Sequence, residues 1–202
     1  MTYAYVGLDI GQRQDHSAIA VVERLEVLTG EFDRVHYVPV RRIEFWARHL
    51  ERIRLGTPYP KVIDRVRALV TQLAANHHVV LIVDAGGPGM PVVDLFKRAQ
   101  LKCTIAPVIV TAGDRESYGT GVYTVPRKHL IQGVKIVIQT DQLRLQHGTP
   151  EANILEKELT NLTLEGGGGH HDDLAFALSL ALWRARKTPS RGKELDRVLP
   201  HY

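Results

Sequence analysis

A single cysteine, Cys103, is all that the sequence holds. It excludes an internal disulfide and any cysteine-based zinc site, a usage that fits a reducing cytosol. No apolar run reaches membrane-spanning length, and the N-terminus lacks the basic and apolar regions of a signal peptide. A soluble, intracellular protein is expected. Internal repeats are absent, and the only low-complexity piece is a glycine run at 166–169. Neither sign of charge dominates: the formal net charge of +4 permits a polyanionic partner without requiring one. What is present is a 44% hydrophobic content over 202 residues, enough for one sizeable core and short for two full domains. One domain over 1–187 is expected, followed by a polar tail at 188–202 containing Pro189 and Pro200.

The order of elements is legible from periodicity. Residues 3–8 read as an apolar strand ending at Asp9, followed by a polar turn. Strands at 17–28 and 34–43 complete an antiparallel meander. Weak helical patterning follows at 44–54, and an amphipathic helix opens after Pro58, with Val62, Ile63, Val66, Leu69, Val70 and Leu73 on one face. The continuous apolar run 79–83 marks a strand covered on both faces and ends at Asp84. A turn, a helix to about Gln100 and a strand at 103–110 make a βαβ unit. Residues 111–124 read as a polar surface loop, with a helix next from Val125, an edge strand at 143–145 and another helix at 151–162. Cys103 is expected in the core.

The glycine run leads to Asp172 and Asp173, which open a segment apolar on almost every side. Such a helix must be buried. A helix N-terminus favours carboxylates, yet two adjacent charges in an internal setting need a counter-charge. Asp9 and Asp84 stand at the C-terminal ends of strands expected to be central, where open α/β sheets place their sites. If the last helix packs across the sheet, the four carboxylates converge. Without a basic partner they would repel strongly, which makes physical sense as a ligand set for hard divalent cations, Mg²⁺ or Mn²⁺.

The segments GLDIGQRQDHSAIAVVE (7–23), VVLIVDAGGPGMPVVDLF (79–96), VYTVPRKHLIQ (122–132) and HHDDLAFALSLALWRA (170–185) together resemble the nuclease domain of bacteriophage terminase large subunits. That family has the ribonuclease H-like fold shared with Holliday-junction resolvases. The resemblance implies an α/β domain whose mixed central sheet, an antiparallel meander then parallel strands, is flanked by helices. It implies cleavage of double-stranded DNA with little sequence specificity during genome packaging, through two Mg²⁺ or Mn²⁺ ions held by Asp9, Asp84, Asp172 and Asp173. Asp15 matches a further acidic position of the family; a turn-capping role is the alternative. Where the family often has Val-Pro-Lys, this chain has Arg127 in the lysine place and Lys128 next to it, both candidates for DNA phosphate contact. The implied partners are DNA, the terminase ATPase domain, the small terminase subunit and the portal, in the cytoplasm of an infected or lysogenic bacterial host. No GxxxxGK[ST] phosphate loop is present, so the chain is expected to be an excised nuclease domain or a stand-alone relative.

Two other readings use the same residues. GLDIG and VDAGG also resemble the phosphate loops of the sugar kinase, actin and Hsp70 superfamily, but those proteins need two lobes, and Gln12, Arg13 and Gln14 are bulky where phosphate would approach. A catalytically silent DNA-binding domain is the third. Trp46 and Trp183 are expected on apolar helical faces, His77 and His78 at the surface, His170 and His171 in an exposed loop, and Asp114 and Glu116 on a solvated loop face.

Overall fold

The computed structural model describes residues 2–11, 15–86, 89–162 and 172–189. Strands β1 (Thr2–Asp9), β2 (Ala18–Asp33) and β3 (Val38–Arg52) form the expected meander. Helix α1 (Tyr59–Leu73) leads to β4 (His77–Asp84), and α2 (Gly89–Arg98) to β5 (Thr104–Thr111). A hairpin of β6 (Ser117–Gly119) and β7 (Val122–Pro126) precedes α3 (Arg127–Gln139), the edge strand β8 (Leu143–Leu145), α4 (Pro150–Asn161) and α5 (Asp173–Arg186). These strands make one mixed sheet in the order β6-β7-β5-β4-β1-β2-β3-β8. The central pair, β1 and β4, is parallel and covered on both faces, as their apolar runs require.

Strand parity sorts the core into two layers. Ala4, Val6, Leu8, Val79, Leu81 and Val83 pack with Val62, Val66 and Val70 of α1 and Val92, Val93 and Phe96 of α2. Tyr5, Val80 and Ile82 face the opposite layer, which is built from α3, α4 and α5. Successive strand residues alternate faces, so Asp9 and Asp84 belong with this second layer. Helix α5, whose residues 174–183 are all buried, lies across β1 and β2. Gly7 sets how closely it approaches: a Cβ there would stand 1.9 Å from the Ala177 carbonyl oxygen. Ala18 and Ala20 beneath the helix, and Ala177 and Ala181 on it, keep the same contact shallow. A backbone crossing this tight holds the first turn of α5 over the end of β1.

Of residues 44–54, expected to be helical, 44–52 are strand. Val22 pairs with Ala47 and Val21 with His49, so Arg48 is an extra residue, a β-bulge. The core-facing residues of β3 are Ile43, Phe45, Ala47 and Leu50, and the shift after the bulge leaves Ile43, Ala47 and Leu50 at a spacing that imitates a helical face. Trp46 therefore lies on a strand, its indole N–H donating to Glu44 Oε2 at 2.9 Å with the Arg48 guanidinium over its ring. The expected loop at 111–124 contains the β6–β7 hairpin, whose two-residue turn, Thr120 and Gly121, has positive φ at both positions, as a type I′ turn requires. Cys103 is half-buried just before β5, and burial pushes its thiol up to about 11. The tail begins packed: Thr188 Oγ1 hydrogen-bonds the Tyr5 hydroxyl. Its remainder and the glycine run lie outside the described residues.

Candidate active site

Asp9 and Asp84 stand side by side. Leu8 is paired with Val83, so the next residues of the two parallel strands are neighbours on the α5 side of the sheet. Asp84 Oδ1 accepts the Gly86 N–H at 2.8 Å, and Gly89 opens α2 where a Cβ would stand 2.3 Å from the Asp84 carbonyl oxygen. This tight turn explains the glycine-rich link after β4. Burial drives the Asp9 carboxyl well above the ordinary carboxylate range, and the charges of Asp84, Asp173, Asp172 and Asp15 push it further in the same direction. Asp84 is raised as well, by burial, with the Gly86 N–H and the Arg127 charge opposing.

The helix arrives with counter-charges that sequence reasoning missed. Asp9 is paired with Ala18 on β2, and Ala18 with Arg52 on β3, so Arg52 ends the same cross-strand row. Its Nη2 lies 2.9 Å from Asp173 Oδ2 and 2.9 Å from Glu158 Oε1 of α4. Asp173 and Glu158 are both buried. Arg127, at the start of α3, donates to Asp172 Oδ2 and lies over the Phe176 ring, 5.1 Å from its centre. The cluster is thus not without basic partners, as the sequence suggested, but flanked by two arginines. Arg52 was hidden because its place depends on register across three strands. Glu158 left a readable signal, an acid in the apolar row Ala152, Leu155, Leu162 of its own helix and C-cap.

The structure brings Asp9, Asp84, Asp172 and Asp173 together, with Asp15 near enough to act on Asp9. Lys128 does not join them: its ammonium pairs with Asp114 in the segment before β6. Glu116 is not on a solvated loop face; it accepts from Trp183 Nε1 at 3.2 Å and pairs with His129 and Lys187. His77 pairs with Glu23 at 2.8 Å, and His78 is exposed. His170 and His171 lie outside the described residues.

A divalent cation suits this donor set. A half-buried carboxylate with four others near it is relieved either by a proton or by a cation, and hard oxygen ligands select Mg²⁺, Mn²⁺ or similar ions. Among the described residues no three such side chains form a ready-made metal-binding group, and Asp172 and Asp173 are paired with Arg127 and Arg52.

A mixed sheet with an antiparallel meander, parallel strands beyond it and a buried helix crossing its centre is the ribonuclease H-like fold. The solved structures that this one resembles carry that fold: the large terminase nuclease of thermophilic phage G20c with bound zinc, at a TM-score of 0.54 and 19% identity over 89% of this chain and 80% of that one, and a mutant nuclease domain of the large terminase subunit of bacterial virus Sf6 with manganese and beta-thujaplicinol, at 0.55 and 13% over 94% and 89%. No protein-family model matches the sequence, and no characterised protein matches it at the level of sequence.

Proposed function

We propose that this chain is a metal-dependent endonuclease that cleaves double-stranded DNA with little sequence specificity, the nuclease part of a bacteriophage terminase large subunit. The observation that carries the reading is the meeting of Asp9 and Asp84, at the ends of the two central strands, with the acidic first turn of α5. The structural neighbours support it, since both are named as terminase nucleases and both hold a divalent metal. Two Mg²⁺ or Mn²⁺ ions would activate a water and stabilise the leaving oxygen of the phosphodiester. Asp9, Asp84 and the Asp172–Asp173 pair would hold them, with Asp15 close to Asp9.

The other residues would orient the substrate. Arg127, at the start of α3, pairs with Asp172; a DNA phosphate is the anion that would replace that partner once Asp172 is engaged elsewhere. Lys128, half-exposed at the same helix start, would contact the backbone further out. Residues 1–187 form the nuclease unit in this reading and 188–202 an appended tail. Terminase ATPase domain, small terminase subunit and portal are the proposed partners, in the cytoplasm of an infected or lysogenic bacterial host. Among the described residues no helix is long and apolar enough to cross a membrane.

The test is plasmid cleavage by the purified chain with Mg²⁺, Mn²⁺ or EDTA, beside Asp9→Asn and a parallel ATP hydrolysis assay. Metal-dependent nicking and linearisation lost in Asp9→Asn, without ATP turnover, is the expected result. ATP turnover without DNA cleavage would overturn it.

A further inference from the structure

The first turn of a helix presents backbone N–H groups that have no partner within the helix, and the residue just before it normally supplies a side-chain cap. At α5 that residue is Asp172, a good capping type, yet its side chain makes no capping hydrogen bond. Its backbone, at φ −120° and ψ 24°, lies outside the extended region from which a capping side chain reaches back. The cap comes from another helix instead. Glu158 Oε2, on α4, accepts the Ala175 N–H at 2.8 Å in a buried contact. Its other oxygen takes the Arg52 guanidinium, which also holds Asp173.

Stability alone does not explain this arrangement. Burying an acid and half-burying an arginine costs desolvation, and an apolar residue at 158 with Asp172 as an ordinary cap would meet the needs of α5 more cheaply. What the arrangement achieves is geometric. Asp172 is released from the helix end to face Arg127, and Asp173 is pinned by one oxygen beside Asp9. We infer that Glu158 and Arg52 are positioning residues: Glu158 takes over the capping of α5 so that Asp172 can serve the cation site, and Arg52 orients Asp173 toward that site. The inference rests on the reading of Asp172 and Asp173 as cation ligands.

A double-mutant cycle on the full chain tests it: wild type, Glu158→Ala, Asp172→Ala and the double variant, unfolded with urea in EDTA and titrated with Mn²⁺ by calorimetry without DNA. With Glu158 present, Asp172→Ala removes no cap. With Glu158 absent, Asp172 becomes the cap, and removing it lowers the folding equilibrium constant by roughly fivefold more than in the wild-type background. Mn²⁺ affinity falls about tenfold in Glu158→Ala because Asp172 is diverted. Glu158→Gln, which keeps an acceptor for Ala175, retains affinity above that of Glu158→Ala and serves as the folded comparison should the alanine variant not fold. Equal costs of Asp172→Ala in both backgrounds, or equal loss of affinity in Gln and Ala variants, overturn the inference. A wild type that binds Mn²⁺ and cleaves DNA while the cycle is additive defeats the inference alone. A wild type that binds no Mn²⁺ and cleaves no DNA defeats the nuclease reading and the inference with it.

Discussion

On one side of β1 and β4 the side chains of Ala4, Val6, Leu8, Val79, Leu81 and Val83 pack beneath α1 and α2. On the other, one residue out of step, Tyr5, Gly7, Val80 and Ile82 lie beneath α5 and the two rows end in Asp9 and Asp84. The first face is an apolar layer whose whole effect is stability. The second gives up some of that stability at one end, where burial and the neighbouring carboxylates raise the proton affinity of Asp9 and two arginines compensate. Proteins break packing rules of this kind where a site is built, and the same two strands show the rule and its exception.

Substitutions one residue apart should separate the faces. Asp9→Asn is expected to reduce metal-dependent cleavage on the order of a thousandfold while the protein stays folded. Its neighbour Leu8→Ala should do the reverse, costing about 3 kcal/mol by urea unfolding while the folded fraction cleaves normally. A Leu8→Ala protein that is stable but inactive would break the comparison.

Gly7→Ala probes the distance between the α5 face and the sheet. The added Cβ has no room against the Ala177 carbonyl, so helix and strand must separate, at a cost of about 2 kcal/mol. Because the shift lifts the first turn of α5 away from Asp9, cleavage by the folded protein should fall too. Loss of stability without loss of activity would show that the site tolerates the displacement.

The pH dependence of stability should distinguish the faces in metal-free protein. The Asp9 carboxyl is raised above its unfolded value, so between the ordinary carboxylate range and that raised value the folded state binds more protons than the unfolded one. Stability is therefore lost as pH rises through that window. Asp9→Asn should flatten the profile there, as followed by thermal unfolding in EDTA, and Leu8→Ala should lower it without changing its shape.

The smallest effect is expected at Lys128, on the rim of the site. Its exposed pair with Asp114 is screened by solvent and contributes little, so Lys128→Ala should leave unfolding almost unchanged. The salt dependence of DNA binding should nevertheless become shallower by about one phosphate contact. An unchanged slope would remove Lys128 from the DNA surface.

Much of this was readable before any coordinates. Acids at the ends of apolar runs, an all-round apolar helix opened by two aspartates, and the order of strands and helices follow from composition and periodicity, because those signals are local. The false helix at 44–54 shows the limit: a single bulge at Arg48 shifts the inward residues and converts a period of two into something that looks like 3.6. The β6–β7 hairpin was lost because β6 spans only three residues, too short to show alternation.

By itself the sequence singled out Asp9, Asp84, Asp172 and Asp173 as the proposed cation ligands, since carboxylates at those strand and helix ends suit a hard cation. Tertiary structure alone decided what surrounds them. Arg52 reaches Asp173 across 121 positions of the chain, through a register set by a bulge, and Glu158 caps a helix to which it does not belong. Such partnerships depend on where backbones cross in space, and no local pattern of residues encodes that distance.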